Sequence, residues 1–187
     1  MKPISVYLHV PFCRSRCGYC GFYSGCRLSL RTPYLQKLIE AVETAPAEGR
    51  EIQTIYFGGG TPTLLGTGLV TVLDALKRRW PVAADAEITV EANPGTVTPA
   101  LLDALHGAGV NRLSFGLQDC EDDVLRLLGR SHTAAEGETA VAMAKAAGFS
   151  DLSVDFMLAT PGQTPEKAAR LAQYGLSLGV PHLSSYL

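Results

Sequence analysis

Short runs in which every second residue is apolar alternate along this chain with longer stretches whose apolar residues recur at helical spacing. The strand pattern falls on ISVYLHV (4–10), TIYFGG (54–59), EITVEAN (87–93), RLSFGLQ (112–118), DLSVDFML (151–158) and HLSSYL (182–187). Helices are predicted over roughly 32–45, 66–79, 98–107, 133–147 and 165–178, with a shorter one near 121–128. Thr98-Pro99 and Thr164-Pro165 place a capping hydroxyl before a first-turn proline, and Gly109 and Gly148 stand where helices should stop. The order reads (βα)5 plus a sixth strand, an α/β parallel sheet forming a partial, TIM-like barrel in a single domain.

Parallel strands buried on both faces are almost continuously apolar, and these are not. Ile4, Val6, Leu8 and Val10 alternate with Ser5, Tyr7 and His9, and Ile88, Val90 and Ala92 with Glu87, Thr89, Glu91 and Asn93. Arg112, Ser114, Gly116 and Gln118 in the fourth strand, and Ser153 and Asp155 in the fifth, share the polar parity. If helices cover the apolar set, the polar set points inward, where it needs a polar ligand to satisfy it. The alternative is an antiparallel sheet with one wetted face.

Composition narrows the classes. With 187 residues and 47% hydrophobic positions the chain can bury a real core, and a net charge of −2 gives no electrostatic case for nucleic acid or an anionic membrane. No apolar run is long enough to span a bilayer or to form the core of a signal peptide, so a cytoplasmic location is expected. In a reducing compartment five cysteines, three of them within CRSRCGYC, argue for metal or redox chemistry over a disulfide scaffold.

Cys13, Cys17 and Cys20 form C-x3-C-x2-C in the loop after the first strand, at the mouth where barrel enzymes work. Three thiolates on a [4Fe–4S] cube would leave one iron open. A zinc site completed by His9 or Cys26 and fortuitous clustering are the competing readings. Gly58, Gly59, Gly60 and Thr61 close the second strand, and a tight turn explains one glycine more readily than three.

C-x3-C-x2-C with Tyr19 before its last cysteine is the signature of the radical S-adenosylmethionine superfamily. The blocks YLHVPFC, FGGGTPTLL, EITVEANP, GVNRLSFGLQD, LGRSH, VDFMLATPGQT and HLSSYL resemble the oxygen-independent coproporphyrinogen III oxidases and their relatives, the haem chaperones, from about residue 4 to residue 187. The resemblance implies that the three cysteines hold the cluster, and that its open iron chelates S-adenosylmethionine, whose reductive cleavage yields a 5′-deoxyadenosyl radical. It further implies cofactor contacts from Tyr7, Tyr19, Gly59, Gly60, Thr61 and Gln118. Glu91 and Asp155 would accept from ribose hydroxyls, and Arg130 would pair with the cofactor carboxylate. His9 and His132 are expected to be hydrogen-bonded structural histidines, and Cys26 and Cys120 bystanders.

Within that group the oxidases resemble C-x3-C-x2-C-x-C, whereas this chain has Phe22 at the last position. CGYCGF, GRSH and PGQT lean towards the chaperones, although those commonly carry proline and aspartate where Gly18 and Gly21 stand here. The expected ligand is therefore haem, or alternatively a porphyrinogen. Haem-receiving proteins and an electron donor are the implied partners, and neither nucleic acid nor a membrane span is expected. Residues 1–187 are expected to be a radical SAM core domain that stops short of the family's C-terminal region, leaving apolar surface on the last strand.

Overall fold

The computed structural model describes residues 2–187. Six strands, β1 (Ile4–Val10), β2 (Ile52–Gly59), β3 (Val82–Ala92), β4 (Arg112–Gln118), β5 (Asp151–Met157) and β6 (His182–Tyr186), lie in sequence order in one sheet. Every neighbouring pair is parallel, which rules out the antiparallel alternative. The crossovers carry α1 (Arg31–Thr44), α2 (Gly68–Arg79), α3 (Pro99–Gly107), α4 (Asp122–Leu127), α5 (Ala134–Ala146) and α6 (Pro165–Ser177). β1 and β6 each pair on one side only, so the sheet is an open partial barrel.

α3, α5 and α6 start where the sequence supplies side-chain caps. Thr98 and Thr164 accept from the backbone N–H groups of Leu101 and Lys167, and Thr133 with Glu136 forms a reciprocal capping box on α5. Their apolar faces bury the outer side of the sheet. Ile55, Phe57, Val90, Leu113, Phe115 and Val154 are each fully inaccessible, packed with Leu73 and Leu76 of α2 and Leu102 and Leu105 of α3. Burial of this kind stabilises by about 1.5–3 kcal/mol per large side chain. α6 approaches closely at Gly175, where a Cβ would lie 2.7 Å from the Phe156 ring.

Two features depart from simple alternation. β3 begins at Val82, five residues before the predicted start, because Val82 pairs with Ile52 across the sheet. β4 carries a bulge: Gly116 faces Asp155 but Gln118 faces Phe156, and Gln118 takes a left-handed φ of 74°. Gln118 therefore reaches the inner side by a backbone distortion rather than by uninterrupted parity. Every residue of β6 is exposed, Leu183 at 44%. Among the described residues no helix is long and apolar enough to cross a membrane.

Candidate functional site

The loop after β1 is tied at its base before any cysteine is reached. The Cys13 N–H donates to the Gly25 carbonyl and the Gly25 N–H to the Pro11 carbonyl, each at 3.0 Å, closing the bridge between Phe12 and Gly25. Phe12 is buried with Val10 and Leu64, its ring meeting Tyr34 edge-on at 5.2 Å, while Tyr34 donates its hydroxyl to the His9 carbonyl. These contacts anchor the base of the loop.

Each cysteine then meets a different wall. The Thr61 hydroxyl lies 3.8 Å from Cys13 Sγ, and the Cys17 thiol points to the Gly129 carbonyl at 3.9 Å. Arg130 Nη1 lies 3.6 Å from Cys17 Sγ, while Arg130 Nη2 donates to the Gly116 carbonyl at 2.6 Å. The Cys20 N–H closes a turn onto the Cys17 carbonyl at 3.2 Å. All three thiols are free and partly buried, and all line one cavity of about 280 Å³ at the carboxyl end of the sheet. Among the described residues no three metal-binding side chains converge on the position of a single ion.

Opposite the thiols the cavity is walled by carboxylates. Glu91 accepts from Tyr56 Oη at 2.7 Å and from the Gly59 N–H at 3.0 Å. Asp155 accepts from Ser114 Oγ at 3.5 Å. Burial is the main cause that raises the Glu91 pKa; it also pushes Asp155 up to about 6, with the nearby Glu91 charge adding to the shift. Burial likewise raises the Tyr19 and Tyr56 phenols, so both remain neutral donors at physiological pH. A more open hollow of about 420 Å³ continues past Ser114, Asp155 and Tyr186 towards Arg112 and His182.

The three glycines after β2 are accounted for by the chain's own packing. A Cβ at Gly58 would lie 2.8 Å from the Tyr56 ring, one at Gly59 2.8 Å from His9, and one at Gly60 2.6 Å from the Phe12 carbonyl and 3.0 Å from Cys13 Sγ. Gly59 also holds a φ of 115°, which disfavours any side chain. A tight turn alone therefore does not account for all three. Close approach of the cluster loop, the aromatic pair and the His9 ring demands all three.

Of the residues singled out in the sequence, Cys13, Cys17, Cys20, Tyr19, Gly59, Gly60, Thr61, Glu91, Gln118, Arg130 and Asp155 all line the cavity. Tyr7 does not: it stands 59% exposed beside it, stacked on Tyr56 and bonded to His9 Nδ1 at 3.0 Å. His9 uses its other nitrogen on the Tyr23 carbonyl at 2.8 Å, and Cys26 is exposed outside the cavity, so neither completes a zinc site. His132 is buried, with Nε2 bonded to the Leu117 carbonyl at 3.2 Å; burial first, then the Arg130 charge, push its pKa down to about 4. Ser114, on the inward parity of β4, and Tyr56 and Tyr186 also shape the site; the two tyrosines were not singled out, and their strand parity was the available signal.

The residues present fit an iron–sulfur cluster and a sulfonium amino-acid cofactor. Three soft thiols face one space, and carboxylates and a guanidinium stand where hydroxyl and carboxylate groups could meet them. Arg130 Nε is buried with no partner among the described residues, a donor aimed at something the protein itself does not supply.

Comparison with known proteins agrees with the geometry. The family model described as the Radical SAM superfamily matches residues 7–175. The chain is 41% identical to the haem chaperone HemW of Escherichia coli (strain K12), spanning 100% of this chain and 50% of that protein. It is 38% identical to HemW of Mycobacterium tuberculosis (strain CDC 1551 / Oshkosh), over 99% and 49% respectively. Among solved structures, coproporphyrinogen III oxidase (HemN) from Escherichia coli, a radical SAM enzyme, superposes with a TM-score of 0.90 at 31% identity, over 99% of this chain and 44% of that one. The chain thus spans about half the length of the curated relatives it matches. With three free thiols at the barrel mouth, a polar inner wall and these relatives together, the chain belongs to the radical SAM superfamily, in its HemN- and HemW-like group.

Proposed function

We propose that residues 1–187 form the radical SAM core domain of a cytoplasmic haem chaperone. In this reading Cys13, Cys17 and Cys20 ligate a [4Fe–4S] cluster, S-adenosylmethionine occupies the adjoining cavity, and the protein binds haem for delivery to acceptor proteins. Phe22 carries the choice. It lines the cavity rim two positions after Cys20, 63% exposed, where the oxidase pattern has a further cysteine, and Tyr23 beside it is 83% exposed. Exposed aromatic faces suit a flat macrocycle better than a fourth thiol does. The HemW names of the relatives support the same reading.

When bound, the cluster and its cofactor supply one-electron chemistry, and the protein's task is placement and exclusion. Thr61 and Arg130 hold the thiols of Cys13 and Cys17 on the cavity wall. Glu91, fixed by Tyr56 and the Gly59 N–H, keeps a carboxylate edge facing the cavity, and Asp155 offers a second. Gly60 leaves the space beside Cys13 open. An electron donor would dock where the cluster loop is exposed, at Arg14, Ser15 and Arg16.

The second reading, porphyrinogen decarboxylation, is favoured by the 0.90 TM-score to HemN. Anaerobic reconstitution with iron and sulfide, followed by S-adenosylmethionine, dithionite and either haem or coproporphyrinogen III, separates the two. Retained, unaltered haem is the expected result. Decarboxylated porphyrin together with deoxyadenosine would overturn the chaperone reading.

A further inference from the structure

We propose that Arg130 sets the reduction potential of the cluster through a charge-assisted N–H···S hydrogen bond to Cys17, in addition to any contact it makes with a cofactor. The inference rests on the cluster reading above. Three facts place the guanidinium. Nη1 lies 3.6 Å from Cys17 Sγ, Nη2 is anchored 2.6 Å from the Gly116 carbonyl, and Nε is buried without a partner. The planar fork therefore has one arm on the backbone of β4 and another on a thiol.

The surroundings hold it there. Gly116 has no side chain in the way; a Cβ would lie 3.3 Å from Nη2 and 2.9 Å from Gln118 Nε2. The segment 128–132 is pinned at both ends, by the Gly18 N–H on the Leu128 carbonyl at 3.3 Å and by His132 on the Leu117 carbonyl. Between these pins Gly129 passes so close that its Cβ would sit 3.5 Å from Cys17 Cα. Arg130 is thus committed to the middle cysteine by backbone contacts on both sides of it.

A fixed cation beside a cluster ligand favours the more negative, reduced state, because hydrogen bonds and net charge around the sulfurs are among the terms that set iron–sulfur potentials. Partial burial strengthens the effect relative to a solvated arginine. Reduction adds one electron to the cluster, supplied by the external reductant.

The test is an anaerobic redox titration followed by electron paramagnetic resonance, without S-adenosylmethionine, on the reconstituted chain and its Arg130→Gln, Arg130→Met and Arg130→Lys variants. Iron and sulfide content is measured first. The neutral variants should titrate lower by about 59 mV, a tenfold change in the one-electron equilibrium, with Arg130→Lys close to wild type. Neutral variants that carry a full cluster at the wild-type potential overturn the proposal, as does an Arg130→Lys variant as low as Arg130→Gln. If the neutral variants hold no iron while Arg130→Lys does, the charge at Cys17 serves cluster retention rather than the potential and the proposal falls. If all three fail while wild type loads, shape rather than charge is responsible and it falls. Should wild type itself acquire no iron and sulfide, the cluster reading fails first and takes this inference with it.

Discussion

At the scale of single residues, two groups near the site, Asp155 on the inner wall and the buried His132, titrate with opposite sign. Asp155, lifted to about 6 by burial and by Glu91, holds its proton more tightly folded than unfolded. Its stabilising contribution is complete below about pH 4, the ordinary aspartate value, and is lost as pH rises through 6. His132, pushed down to about 4 by burial and by Arg130, resists protonation when folded. Its contribution is complete above about pH 6.5 and is lost as pH falls through 4. The two offset each other between these limits, so each substitution should unmask the other. Asp155→Asn should raise stability at pH 7.5 by on the order of 1 kcal/mol, after allowing for solvent screening, and steepen the loss in acid. His132→Gln, which keeps an N–H for the Leu117 carbonyl, should instead leave a chain that loses stability as pH rises from 4 to 6. Urea midpoints across that range on identically loaded samples check both, and parallel curves for the two variants would refute the assignment.

Elements determine how well the thiols are presented. The base of the cluster loop and the turn after β2 meet at Gly60, whose N–H donates to the Val10 carbonyl at 2.8 Å and whose missing Cβ clears Phe12 and Cys13. Gly60→Ala should displace backbone rather than a flexible side chain, costing roughly 1–3 kcal/mol and lowering iron bound per chain. Iron and sulfide assay with circular dichroism measures this; full cluster loading at unchanged stability would contradict it. Much of this element structure is legible in the sequence, because strand alternation and threonine caps are local signals that the tertiary fold did not override. The start of β3 was not, since Ala83, Ala84 and Asp85 have little intrinsic strand preference and lie between the Val82–Ile52 and Glu87–Thr54 pairs, where the register with β2 shifts. Nor was the bulge at Gln118, because an inserted residue changes backbone geometry without marking composition. The thiols, the carboxylates and Arg130 were legible as candidates, but their partners were not. Tyr56 on Glu91 depends on the register of two neighbouring strands and Gly116 beneath Arg130 on where the loop after α4 returns to β4, neither of which a single segment can reveal.

Within residues 2–187 the sheet does not close. β6 is held to β5 along one side and offers its other side to solvent, with Leu183, Tyr186 and Leu187 exposed. Row upon row of unanswered amide hydrogens and carbonyls there constitutes a template on which any extended peptide could add itself in register. Kept by itself, the 187-residue chain should grow into higher-order species as its concentration rises. Leu183→Lys, which places a charge on this last strand, should hold it monomeric in sedimentation runs. Concentration-independent monomers of the unmodified chain would mean that this border already protects itself.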